Sequence, residues 1–92
     1  MENFEELIKS SEKVMIKFGA SWCGPCKVMD KRLKPLIEEG LNVHKVDVEE
    51  WPSLGAKLAI KNLPTTIIFQ NGAAVDRFSG YATIEQLREK LK

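Results

Sequence analysis

Residues 13–27 read KVMIKFGASWCGPCK, and the fold turns on how this stretch is divided. Lys13 to Gly19 is rich in Val, Ile and Phe and predicts a strand. Ala20 to Trp22 is a short loop, and a helix is expected to begin at or near Cys23. Cys23 and Cys26 are the only cysteines in the chain. A bond between them closes a very short loop and constrains little of the unfolded chain. The pair is therefore better placed for chemistry than for stapling the fold.

A helix start surrounds the first thiol with backbone N–H groups that have no helical partner, at the positive end of the helix dipole. Both favour thiolate over thiol at Cys23. Cys26 sits about one turn further in, where it is more buried and less acidic. This asymmetry assigns roles: Cys23 attacks a disulfide and forms a mixed disulfide, and Cys26 resolves it. Gly24 permits close approach of backbone and substrate, and Pro25 stiffens the turn. The same spacing is also half a zinc site. Zinc needs four ligands, and the only other soft ligand is His44, with no second CxxC or CxxH, so no metal is expected. A CxxC that follows a strand in a βαβ unit is a strong redox signal.

Outward from this stretch, Met1 to Ser11 reads as a helix with Phe4, Leu7 and Ile8 as its apolar stripe, Asn3 as cap and Glu6 completing a capping box. The helix after Cys23 carries Val28, Met29 and Leu33, is expected to kink or restart at Pro35, and stops at Gly40. Leu41 to Val48 predicts a strand, although its alternation slips near His44-Lys45. Pro52 opens a short helix to about Ala59. Thr65 to Phe69 and Ala73 to Phe78 form a hairpin around Asn71-Gly72, and Gly80 breaks it. Thr83 caps a final helix with Gln86 at the capping-box position and Ile84, Leu87 and Leu91 as its apolar face. Met29, Phe69 and Trp51 read as packing residues. The expected fold is α/β: a parallel βαβ unit plus an antiparallel hairpin, giving a mixed four-stranded sheet with helices on both faces.

The 92 residues fit one domain spanning residues 1–92, without linkers or repeats. With 14 basic and 13 acidic residues the formal charge is +1, which gives no electrostatic argument for a nucleic-acid or membrane partner. No apolar run is long enough to span a membrane. MENFEELIKS lacks the basic start and apolar stretch of a secretory signal.

In combination, VMIKFGASWCGPCK, HKVDVEE, NLPTTIIFQNG and FSGY resemble the thioredoxin family over about residues 3–92. The resemblance implies that Pro64 follows a cis peptide bond, stands beside the dithiol and shapes a substrate groove. It implies that Leu63 offers its backbone to the substrate chain, and that Trp22 and Gly80 line the same groove. Lys27 reads as a solvated residue adding positive potential.

The chain departs from that family in three ways. The usual first strand is not accommodated in the 22 residues before Cys23, so Leu41–Val48 becomes an edge, which His44, Lys45 and Asp47 suit. The buried acid six residues before the first cysteine is replaced by Lys17, and Lys45 matches the family's lysine that pairs with that acid. Both lysines could then face the interior near Cys26. Alternatively, Lys17 snorkels out or pairs with Asp47. Lys17, Lys45 and Asp47 are therefore candidate modulators of the thiol pKa values. The third departure is Gly19, where an aromatic is common, so packing behind the dithiol must differ. The segment between Cys26 and Lys45 is also shortened, with its proline displaced to Pro35.

The resemblance implies a protein-disulfide reductase, without a cofactor, that is itself re-reduced by thioredoxin reductase; a cytoplasmic monomer is the default. Two alternatives remain. A glutaredoxin-like enzyme would be reduced by glutathione. A binding module that stabilises or delivers a partner enzyme would retain its role after Cys23→Ser.

Overall fold

The structure, a computed structural model, describes residues 3–92. It contains, in chain order, α1 (Phe4–Ile8), β1 (Val14–Gly19), α2 (Gly24–Glu38), β2 (Val43–Asp47), α3 (Pro52–Lys57), β3 (Thr65–Gln70), β4 (Ala73–Ser79) and α4 (Ile84–Lys90). Met1 and Glu2, which the sequence reading placed in the first helix, lie outside the described residues. The four strands form one sheet in the order β2-β1-β3-β4. β1 runs parallel to β2, with Lys17 beside Lys45, and antiparallel to β3, with Lys17 beside Thr66. β3 and β4 form the hairpin, with Asn71 and Gly72 both at positive φ in the turn. β2 is an edge strand, as expected.

Every residue of β1 is buried, because helices cover both faces of the sheet at its centre. Successive side chains of a strand point to opposite faces. Met15 joins Met29, Leu33 and Leu36 of α2 and Leu87 of α4 on one side. Val14, Ile16 and Phe18 join Phe4, Val46, Ile67 and Phe69 on the other, under α1 and α3. By the same alternation Lys17 and Gly19 fall on the Met15 face, toward α2.

Local details depart from the sequence reading in physical ways. α2 runs through Pro35 as one element rather than restarting; packing of Met29, Leu33 and Leu36 on the sheet holds it across the lost N–H. Val28 is exposed rather than part of the apolar face. Asn3 makes no side-chain cap, so α1 has no capping box. Thr83 and Gln86 do form the reciprocal box at α4.

On the α2 face of the sheet, Thr66 is fully buried and its hydroxyl has no hydrogen-bond partner among the described residues. A buried unpaired hydroxyl costs free energy that an apolar group of the same shape does not. Thr66→Val is therefore expected to stabilise the chain by about 1 kcal/mol. Denaturant unfolding measures this, and a destabilised variant would show that the hydroxyl is satisfied in solution.

Candidate active site: a disulfide at a helix start

β1 ends at Gly19, and the chain turns through Ala20 to Trp22 before entering α2. Cys23 is the N-cap, in extended conformation, and its Sγ accepts a hydrogen bond from the Cys26 N–H at 3.2 Å. Gly24 and Pro25 occupy the first turn, where the missing proline N–H has no helical carbonyl to lose. Cys23 and Cys26 are joined in a disulfide, with Cα atoms 5.2 Å apart. Both are buried, Cys26 at 1% exposure and Cys23 at 5%.

Leu63 packs against Ala20, Cys23 and Cys26. The Leu63–Pro64 peptide is cis. Pro64 is buried, and its carbonyl accepts the Gly80 N–H at 2.9 Å. Gly80 has φ 82°, a conformation that side chains disfavour. Thr65 Oγ1 donates to the Asn62 carbonyl and contacts Ser79 Oγ. The chain segments carrying Cys23, Pro64 and Gly80 are thus tied together. Trp22 projects to solvent at 67% exposure, and among the described residues nothing beyond its chain neighbours and its own helix backbone lies within 4 Å of a Cβ placed on Gly24.

Behind the disulfide stands an ion pair that the sequence reading did not anticipate. Lys17 is buried, and its Nζ lies 2.6 Å from Asp30 Oδ1 on α2. It neither snorkels to the surface nor pairs with Asp47. Asp47 instead accepts the Glu49 N–H at 2.8 Å, and the Lys45 side chain is exposed on the edge strand. Asp30 Oδ1 is sealed from solvent and makes no hydrogen bond of good geometry among the described residues, so its contact with Lys17 is electrostatic. A Cβ at Gly19 would lie 2.8 Å from Lys17 Nζ and 3.0 Å from Cys26 Sγ. The ammonium and the sulfur are therefore within about 6 Å of one another. Lys17, Gly19, Asp30, Lys45, Asp47 and Glu50 border an open cleft of about 280 Å³ beside this pair.

The thioredoxin family model matches residues 1–92. The chain belongs to the thioredoxin family. It is 38% identical over 95 residues to thioredoxin Y1 of Arabidopsis thaliana, a chloroplastic protein, covering 99% of this chain and 55% of that one. The chain thus spans little more than half the length of the chloroplastic relatives it matches. It is 39% identical to a thioredoxin of Staphylococcus haemolyticus, covering 97% of this chain and 88% of that one. The solved structure of Fasciola hepatica thioredoxin superposes with a TM-score of 0.86 at 33% identity, over 98% of this chain and 89% of that one. The mixed four-stranded sheet with flanking helices is the thioredoxin fold. No helix among the described residues is long and apolar enough to cross a membrane.

Two features of this thioredoxin-family chain escaped the sequence reading. Asp30 is one helical turn beyond Cys26, the spacing that puts two side chains on the same helix face. Combined with the strand alternation of Lys17, that spacing was a usable signal. Tyr81, next to Gly80, is 58% exposed, with the Arg32 guanidinium 5.3 Å from its ring centroid and Arg32 Nη1 donating to the Ala82 carbonyl. Its signal was its place in FSGY.

Gly19 is required because its missing side chain leaves room for the ammonium and the sulfur. Gly19→Ala is expected to cost about 1–3 kcal/mol, the usual penalty for overpacking, measured by denaturant unfolding. Full retention of stability would mean that the Lys17 head moves aside freely.

Proposed function

We propose that the chain is a thiol-disulfide oxidoreductase that reduces disulfides in protein substrates by cycling Cys23 and Cys26. The observation that carries this reading is the disulfide at the start of α2, with Cys23 Sγ accepting the Cys26 N–H. In the reduced chain the same N–H and the helix dipole stabilise negative charge on Cys23. The Cys23 thiolate attacks one sulfur of the substrate disulfide. The substrate S–S bond breaks, its electron pair leaves on the other substrate sulfur, and a Cys23–substrate disulfide forms. The Cys26 thiolate then attacks Cys23 Sγ, expels the remaining substrate thiolate and restores the intramolecular disulfide. Two electrons pass to the substrate, whose thiolates take protons from water.

In this reading Trp22, Gly24, Pro25, Leu63, Pro64 and Gly80 form the groove that holds the substrate chain. The exposure of Trp22, the open space over Gly24 and the contact of Leu63 with the disulfide support it. Thioredoxin reductase is the proposed electron donor, by membership of the family. A monomer is the proposed working state, as the default for a single small domain; the cytoplasm is the proposed location, in keeping with the bacterial relatives, while the chloroplastic relatives make an organelle the competing one. Family membership favours this activity over a glutathione-reduced one.

Dithiothreitol-driven reduction of insulin tests the cycle. The wild-type chain is expected to turn over, and Cys23→Ser is expected to abolish turnover. Cys26→Ser is expected to accumulate a Cys23–substrate mixed disulfide, visible by mass spectrometry. Turnover that persists in Cys23→Ser would overturn the assignment of the nucleophile.

A further inference from the structure

We propose that Lys17, positioned by Asp30, is a cationic stabiliser of the Cys26 thiolate. The inference rests on the dithiol reading above and adds a group that acts on its second sulfur. Lys17 comes from β1, and Asp30 from α2 one helical turn beyond Cys26. The Nζ is within about 6 Å of Cys26 Sγ, with no Gly19 side chain between them. A cation at that range favours a thiolate over a thiol.

The pair is not symmetric at the sulfur. The Lys17 side chain is 5% exposed, whereas that of Asp30 is 34% exposed. Asp30 Oδ1 faces the ammonium away from solvent, but the Asp30 side chain as a whole is more exposed than that of Lys17, so its charge is the better screened of the two. Lys31, Lys34 and Glu38, exposed on α2, line a second recess with Asp30 and Lys45, and Lys45, Asp47 and Glu50 line the cleft on and beyond the edge strand. Lys45 and Glu50 are exposed and Asp47 is half-buried, so all three are better screened than Lys17.

The cation enters the cycle at two steps. When a donor thiolate attacks Cys23 Sγ, the Cys23–Cys26 bond breaks and its electron pair leaves on Cys26. The donor–Cys23 disulfide that forms keeps the electron count, and a second donor thiolate then frees Cys23. Lys17 stabilises the departing Cys26 thiolate. In the opposite half-cycle, Cys26 must lose its proton before it attacks Cys23 Sγ. Lys17 favours that loss, and the cleft bordered by Lys17 and Gly19 gives water a path toward this side of the site.

The test uses the full chain carrying Cys23→Ser, so that Cys26 is the sole thiol. Its thiolate is titrated by ultraviolet absorbance, alone and combined with Lys17→Met or Asp30→Asn. Lys17→Met is expected to raise the Cys26 pKa by about one unit, a tenfold fall in the thiolate-to-thiol ratio. Asp30→Asn releases the ammonium from its position and is expected to raise the Cys26 pKa as well, by less than Lys17→Met because the opposing anion goes too. With both cysteines present and the pH above the Cys26 pKa, Lys17→Met is expected to move the equilibrium with glutathione toward the disulfide, approaching about tenfold, and the effect is expected to fade as the pH falls below that pKa. A flat or lowered titration for Lys17→Met, or a larger rise with Asp30→Asn than with Lys17→Met, overturns the proposal. If Lys17→Met does not fold, as judged by circular dichroism, Lys17→Gln takes its place. The two readings fail separately. Absent wild-type turnover of insulin sinks the dithiol reading, whereas normal turnover with a flat Cys26 titration sinks only the role of Lys17.

Discussion

β1 is buried on both faces and hydrogen-bonded on both edges, and the rest of the molecule is arranged around that strand. Its Met15 face calls for α2 and α4, and its Ile16 face for α1 and α3. A strand in this position ordinarily reads as an unbroken apolar run. Here one of its six residues is a lysine. An ammonium taken out of water needs a counter-charge within the chain, and the geometry of the sheet limits where it can come from. Lys17 faces α2, so the counter-charge must come from that helix or from the neighbouring edge strand. Asp30 of α2 supplies it.

The same strand delivers the dithiol. Its last residue is Gly19, and the loop that follows ends at the N-cap of α2. The position of Cys23 is thereby set by where β1 stops and where α2 packs, not by the loop alone. Gly19 links the two arrangements, because its missing side chain leaves the volume into which both Lys17 Nζ and Cys26 Sγ project. Lysine and glycine two residues apart thus read as one device. The cation can stand behind the sulfur only because the next residue on the same face of the strand has no side chain.

Much of this was legible in the residues. The hand-off from a β-branched run to a CxxC, the Asn71-Gly72 hairpin and the Thr83–Gln86 box each carry a local rule, and the structure contains all three elements. The edge position of β2 followed from counting the strands that the chain can supply. What local rules missed was decided by packing. Pro35 breaks no helix, because apolar contacts on both sides of it hold the turn. The cap at Asn3 failed in a helix of only five residues. Position along the neighbouring strand points Lys17 to Asp47, whereas the strand's alternation and the spacing from Cys26 to Asp30 together point across to the helix. Two periodicities had to be read jointly, and each alone left several carboxylates open.

A buried ion pair is weak evidence for stability. Desolvation of two charges offsets much of their attraction, and apolar replacements of similar volume are often neutral or stabilising. Lys17 and Gly19 could in principle be replaced together by an apolar side chain and a larger neighbour, filling the same space without any buried charge. Thr66, register-paired with Lys17 and buried with its hydroxyl unpartnered among the described residues, adds a second polar group on the face where packing alone favours none. Lys45 flanks Lys17 on the same face but is exposed at the sheet edge, which leaves Lys17 and Thr66 as the buried polar residues on that face of β1 and β3. Of the two, Lys17 lies within about 6 Å of Cys26 Sγ, where a fixed cation acts on a changing charge on sulfur. The chemistry of the disulfide, rather than the stability of the sheet, gives the pair its physical rationale.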